Sequence, residues 1–211
     1  MMIADIQGHK MKKILIVVDM QKDFVDGALG SKEAVAIVDN AVKKIENFEG
    51  DIIVTYDTHY ENYSRTQEGK NLPVTHCIKG TAGWELDRKV QAAVDKKGYK
   101  AIEKLTFGSV ELPEYIKANY NTDDIEIELI GLCTDICVVS NALLMKANFI
   151  ETKVSVDANC CAGVTPESHN AAITTMKMCL INIIYQLNCS FVSKQKYFFV
   201  GCGIRIRTRT E

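Results

Sequence analysis

Short β-branched apolar runs alternate along this chain with segments whose apolar residues fall at helical spacing, and that alternation leaves few folds open. Ile14 to Val18 is a continuous apolar run behind Met11-Lys12-Lys13, the pattern of a strand buried on both faces. Asp51 to Tyr56, Ala101 to Leu105, Ile125 to Ile130, Thr152 to Val156 and Ile181 to Tyr185 read as further strands. Between them, Ser31 to Phe48, Trp84 to Val94, Leu112 to Asn119, Val138 to Asn148 and Pro166 to Met178 read as helices. Strands alternating with helices predict a three-layer α/β/α domain, a central, mostly parallel sheet flanked by helices. In such sheets chemistry collects outside the carboxyl ends of the strands.

The chain has 211 residues, 47% of them hydrophobic, enough for one domain with a good core. We assign that domain to residues 11–186. Residues 1–10 read as an N-terminal extension or an earlier start, and 187–211 as a C-terminal tail, either an extra hairpin or a non-native extension. A net charge of −2 gives no electrostatic reason to expect nucleic acid or a membrane surface as partner. The apolar runs are too short to span a bilayer, and no signal-peptide pattern opens the chain, so a cytoplasmic protein is expected. There is no Cys-x-x-Cys pair among the eight cysteines, which argues against a thioredoxin-like redox role and a Cys₄ zinc site. Most of the cysteines are expected to be reduced and buried.

Gly131-Leu132-Cys133-Thr134-Asp135-Ile136-Cys137 lies where a strand turns into a helix. A helix N-terminus offers unpaired N–H groups and partial positive charge, which favour a thiolate over a thiol and can hold an oxyanion. This segment suggests a cysteine hydrolase. Other strand ends also deliver titratable groups. Asp19 follows Ile14–Val18, Asp57 and His59 follow the second strand, and Lys104 closes the third. Asp57-x-His59 puts both side chains on one side of an extended segment, and with Glu68 and His76 it makes an O/N donor set suited to a single divalent Zn, Mn or Fe ion.

Ile16 to Phe24, Lys104 and Thr134-Asp135-Ile136-Cys137 resemble the Asp, Lys and Cys motifs of the isochorismatase-like cysteine hydrolases. Asp57-Thr58-His59, Glu68 and His76 to Thr81 are similar to the nicotinamidase (pyrazinamidase-type) branch. The resemblance spans roughly residues 12–185. It implies that Cys137 attacks a carboxamide, expels ammonia and forms a thioester that water hydrolyses. Asp19 would be the proton shuttle, with a raised pKa, and Asp23 is its rival within the motif. Lys104 would stabilise the charged forms of Asp19 and Cys137. The N–H groups of Cys133 and Cys137 would form the oxyanion hole, with a cis peptide between Leu132 and Cys133. Asp57, His59, Glu68 and His76 would hold the metal; some relatives use a third histidine, and here none lies between His59 and His76. Phe24, Leu72 and Phe107 would line the substrate. Many nicotinamidases carry an aromatic residue shortly before the second histidine, whereas Asn71 to Thr75 has none, and Leu72 would fill the space. The implied partner is a small-molecule amide; no organic cofactor is needed, and a homo-oligomer is expected. Trp84 reads as a helix packing residue and His169 as a residue on the surface of its helix. Another hydrolase of the same scaffold, acting on a different amide, carbamoyl or enol-ether compound, and a non-catalytic binding module are the alternative readings.

Overall fold

The computed structural model describes residues 11–185, so the N-terminal extension and the C-terminal tail lie outside the described residues. Six strands form one sheet: β1 Lys12–Val18, β2 Asp51–Asp57, β3 Lys100–Lys104, β4 Ile125–Leu132, β5 Lys153–Ala162 and β6 Asn182–Ile184. Their order is β3-β2-β1-β4-β5-β6, and every pairing is parallel. The helices are α1 Lys22–Val25, α2 Lys32–Asn47, α3 Gln67–Asn71, α4 Arg88–Lys97, α5 Glu111–Asn119, α6 Val139–Asn148 and α7 Pro166–Met178. The expected α/β/α layers are present.

β1 explains why the sheet needs both helical layers. Leu15 and Val17 join the core that includes Ala34, Ile37, Val38 and Ala41 of α2 and Val90 and Val94 of α4. Ile14, Ile16 and Val18 join the opposite core with Leu112 and Ile116 of α5, Met145 of α6 and Ile173 of α7. Each of these five β1 side chains is fully buried. Burying a side chain of this size contributes up to about 1.5–3 kcal/mol, so an unbroken apolar run is what a two-sided strand requires.

Local signals fix the helix starts. Ser31 caps α2 by accepting from the Ala34 N–H at 3.0 Å. Thr165 and Ser168 form a capping box at α7, with Pro166 in its first turn. The expected helix Trp84–Val94 begins later, at Arg88, because the Asp87 carboxylate accepts from Lys89 and Val90 and makes itself the cap. Trp84 therefore sits in the preceding turn, where its indole donates to Thr58 Oγ1 at 3.0 Å. The polar stretch from Glu61 to Gly80 folds into a 3-10 turn at Tyr63–Arg65 and the short helix α3. β5 runs well past the expected Val156, and its pairing with β4 shifts register between Leu129 and Gly131. The chain reverses its direction of strand addition between β1 and β4, the switch point at which parallel sheets open a crevice.

Candidate active site

Four strand ends converge on that crevice. Asp19 immediately follows β1 and is fully buried, with φ at +47°. Thr55 of β2, in register with Val18, donates its hydroxyl to Asp19 Oδ1 at 2.6 Å. Lys104 at the end of β3 brings Nζ to 2.7 Å from Asp19 Oδ2, a fully buried ion pair. The same Nζ lies 3.1 Å from Asp57 Oδ1 and 3.5 Å from Cys137 Sγ. Asp19, Lys104 and Cys137 thus form one buried cluster.

Burial works against every charge in it. Desolvation is the largest influence on Asp19 and, although Lys104 opposes it, leaves the carboxyl raised above its ordinary value. Desolvation also opposes the Lys104 charge, but the facing Asp19, Cys137 and Asp57 hold the ammonium well above its usual pKa. Burial, then the Asp19 charge, push the Cys137 thiol well up, with Lys104 only partly compensating. Burial thus opposes the thiolate that the neighbouring helix end was expected to favour.

Cys137 belongs to a π-helical turn, Thr134–Val138, that leads directly into α6. The peptide between Leu132 and Cys133 is cis. The Cys133 carbonyl accepts from the N–H groups of Ile136 and Val138 at 3.1 and 3.0 Å, which folds the turn back on itself. Gly131 adopts φ +120°, and a Cβ there would meet the Val18 carbonyl oxygen at 2.1 Å.

Asp57, His59, Glu68 and His76 form a second cluster, whose ligand atoms all lie within 4.8 Å of one another. His59 Nε2 is 3.0 Å from Asp57 Oδ2 and 3.5 Å from Glu68 Oε1. His76 Nε2 is 3.6 Å from each of the same two oxygens. His59 Nε2 is nonetheless buried without a hydrogen-bond partner, as expected of atoms that converge on a common point instead of bonding one another. His76 Nδ1 contacts the Val74 carbonyl at 2.8 Å, which turns Nε2 into the cluster. Burial opposes charge on both imidazoles, but Asp57 and Glu68 outweigh it and push each up to about 9. The histidines in turn lower Glu68 to about 2. Burial would raise Asp57, yet the histidines and Lys104 hold it far below the carboxylate range. Two carboxylates and two imidazoles, one nitrogen orphaned, fit a borderline divalent cation.

A cavity of about 370 Å³ joins the two clusters. Cys133, Cys137, Asp57, Glu68 and His76 line its polar end, and Phe24, Leu72 and Phe107 its apolar walls. Phe24 is buried, with its ring 5.5 Å from that of His76, whereas Leu72 and Phe107 stand half-exposed at the mouth. Asp23 stands apart from the cluster: its carboxylate accepts from Cys77 N–H at 2.8 Å and from Ala28 N–H at 3.3 Å, tying two loops together.

Several residues essential to this geometry had no assigned role. Gln21, fully buried, accepts from the Asp57 N–H at 2.8 Å and donates to the carbonyls of Asp57 and Trp84 at 2.9 and 2.8 Å. Asn141 of α6 donates to the carbonyls of Cys137 and Phe107 and accepts from Ser109 N–H. Tyr63 covers His59, ring centroids 4.6 Å apart, and donates to the Leu72 carbonyl. His169 is half-buried against Thr134, not at the surface of α7, because its Nδ1 lies 2.8 Å from the Thr134 hydroxyl. A polar residue amid an apolar strand end was the available signal for Gln21; nothing local marked the others.

Fold and site define a doubly wound α/β protein that sets a buried Asp–Lys–Cys cluster beside an O/N donor set. The chain belongs to the isochorismatase domain family, whose profile matches residues 13–185. It is 27% identical over 189 residues to the nicotinamidase/pyrazinamidase of Mycobacterium tuberculosis, covering 82% of this chain and 98% of that protein. Among solved structures, the nicotinamidase/pyrazinamidase of Bacillus subtilis superposes with a TM-score of 0.73 at 27% identity, over 82% of this chain and 99% of that one. The pyrazinamidase of Pyrococcus horikoshii, solved in complex with zinc, gives 0.67 at 25% identity, over 83% and 99%.

Proposed function

We propose that this protein is a metal-assisted cysteine amidase that hydrolyses nicotinamide to nicotinate and ammonia, a step of NAD salvage. The observation that carries the reading is the contact of Lys104 with both Asp19 and Cys137, where Cys137 lines a cavity together with Asp57, Glu68 and His76 of the donor set. The names of the similar proteins support the substrate.

The steps follow from the resting state. Burial favours the Cys137 thiol, and Asp19 takes its proton as sulfur attacks the amide carbon. The oxyanion is held by the backbone N–H groups of Cys133 and Cys137. Collapse of the tetrahedral adduct breaks the C–N bond, and Asp19 returns the proton to the departing nitrogen, releasing ammonia. Asp19, again a carboxylate, takes a proton from water as it attacks the thioester, and the acid leaves as the proton returns to Cys137 sulfur. Lys104 keeps the site's charge balanced while that proton moves. A divalent cation held by Asp57, His59, Glu68 and His76 would supply a Lewis-acid seat for the pyridine nitrogen. Phe24, Leu72 and Phe107 would exclude water and flank the ring.

The test is ammonia release from nicotinamide by purified protein, with Cys137→Ala in parallel and metal content recorded. Turnover that disappears in the variant, with stoichiometric metal, is expected. No turnover by metal-loaded wild type would sink the reading.

A further inference from the structure

We propose that His169 and Asp135 are positioning residues that lock the nucleophile turn to the Gly163–Val164 wall of the cavity, so that Cys137 and the wall keep one fixed relation. The proposal rests on the cysteine-amidase reading above. Two ties run from neighbouring residues of the turn to the β5–α7 connection. Thr134 Oγ1, fully buried, meets His169 Nδ1 at 2.8 Å. Both Asp135 carboxylate oxygens accept from the Val164 N–H, at 3.2 and 3.1 Å. Between the ties, Gly163 leaves no room for a side chain: a Cβ there would lie 2.9 Å from His169 Cβ and from its backbone nitrogen. Gly163, Val164, Cys133, Ile136 and Cys137 face the same cavity, so a shift of this connection alters the space for substrate.

The two ties differ in what they control. Thr134 opens the π-helical turn that carries Cys137. Such turns are rare and occur often at functional sites, and an external anchor at the first residue fixes where the sulfur sits against Asp19 and Lys104. Burial holds the His169 pKa down, although Asp135 opposes this, which leaves a neutral ring able to accept the Thr134 proton. Asp135, by contrast, holds Val164 over the cavity. Loss of the His169 tie is read in kcat, and loss of the Asp135 tie in KM.

Steady-state kinetics on nicotinamide would compare wild type, His169→Ala, His169→Asn and Asp135→Ala, each with a thermal melt. His169→Ala is expected to lower kcat by about tenfold or more, because small misplacements of a reacting group are costly. Its KM should change little. The Asn amide oxygen sits at the same bond distance as Nδ1, so His169→Asn should recover most of the rate. Asp135→Ala should raise KM several-fold with a smaller change in kcat. Alkylation of Cys137 by iodoacetamide, followed on its own peptide by mass spectrometry, should rank the His169 variants in the order of kcat. This second readout works whatever the amide, so if wild type fails on nicotinamide the substrate reading falls while the alkylation rates still decide this proposal. Wild-type kcat and alkylation in His169→Ala would overturn it, as would losses that only follow thermal stability and are not recovered by Asn.

Discussion

Asp19 and Lys104 bury opposite charges in contact, and Asp57 shares the same ammonium, so the balance among three groups sets the state of Cys137. In the proposed mechanism Asp19 both takes and returns the proton, so Asp19→Asn should lower kcat by about 10²–10⁴-fold while the fold persists, measured by ammonia release beside a circular dichroism melt. Lys104 plays a different part, and its removal has a stability signature. Lys104→Met leaves Asp19 without its cation in a dry site, which should cost about 3–5 kcal/mol at neutral pH. The sign with pH follows from Asp19, whose folded pKa is already raised and rises further without the lysine. A carboxyl raised in the folded state is a penalty at high pH that disappears as the pH falls and the group takes up its proton. Urea unfolding of the variant should therefore approach wild type toward acid. In the proposed mechanism Asp19 sets the acid limb of kcat/KM in wild type, and that limb should lie above the ordinary carboxylate range.

At the scale of elements, the close passage of β4 over β1 makes the site possible. Gly131 places its backbone against Val18 in a conformation that other residues rarely adopt, which lets the Cys137 turn descend beside Asp19. Gly131→Ala should cost about 2–4 kcal/mol from backbone strain and the clash with the Val18 carbonyl, and should abolish turnover; thermal melts and ammonia release check both. Much at this scale was legible in the sequence. The apolar runs of β1 and β2 and the apolar residues that alternate with Glu126 and Glu128 in β4 stood out, and titratable residues at the ends of β1, β2 and β3 marked Asp19, Asp57 and Lys104. Periodicity misled at Trp84 and Leu86, whose helical spacing belongs to a turn that Asp87 converts into a cap. It also failed at the far half of β5, where the register shift breaks the pairing pattern. Asn141 and His169 were illegible because their partners come from other elements, and no local pattern records a contact that only the tertiary fold creates.

At the scale of the whole molecule, the strand order brings the β1, β2, β3 and β4 ends together, and the segment from Asp57 to Lys79 folds over them with its two histidines. His59 is fixed by backbone bonds to Cys77 and Lys79, so the donor set depends on the complete fold and cannot exist in the unfolded chain. Metal binding at this set would therefore be folding energy, and it would compete with protons. In metal-free protein His59 and His76 lie at about 9, above the unfolded histidine value of about 6.5. A group raised in this way contributes stability that is fully present below its unfolded pKa and lost as pH rises through the folded one. Chelator-treated protein should thus lose stability between about pH 6.5 and 9, as the two histidines release their protons next to Asp57 and Glu68. Added Zn²⁺ should reverse the loss, since the cation replaces those protons, and its stabilisation should grow with pH over the same range. At a free concentration about a hundredfold above Kd the gain should be about 2.7 kcal/mol. Thermal melts across this range, with and without zinc, check the prediction; a zinc effect independent of pH would mean that the two histidines are not its ligands.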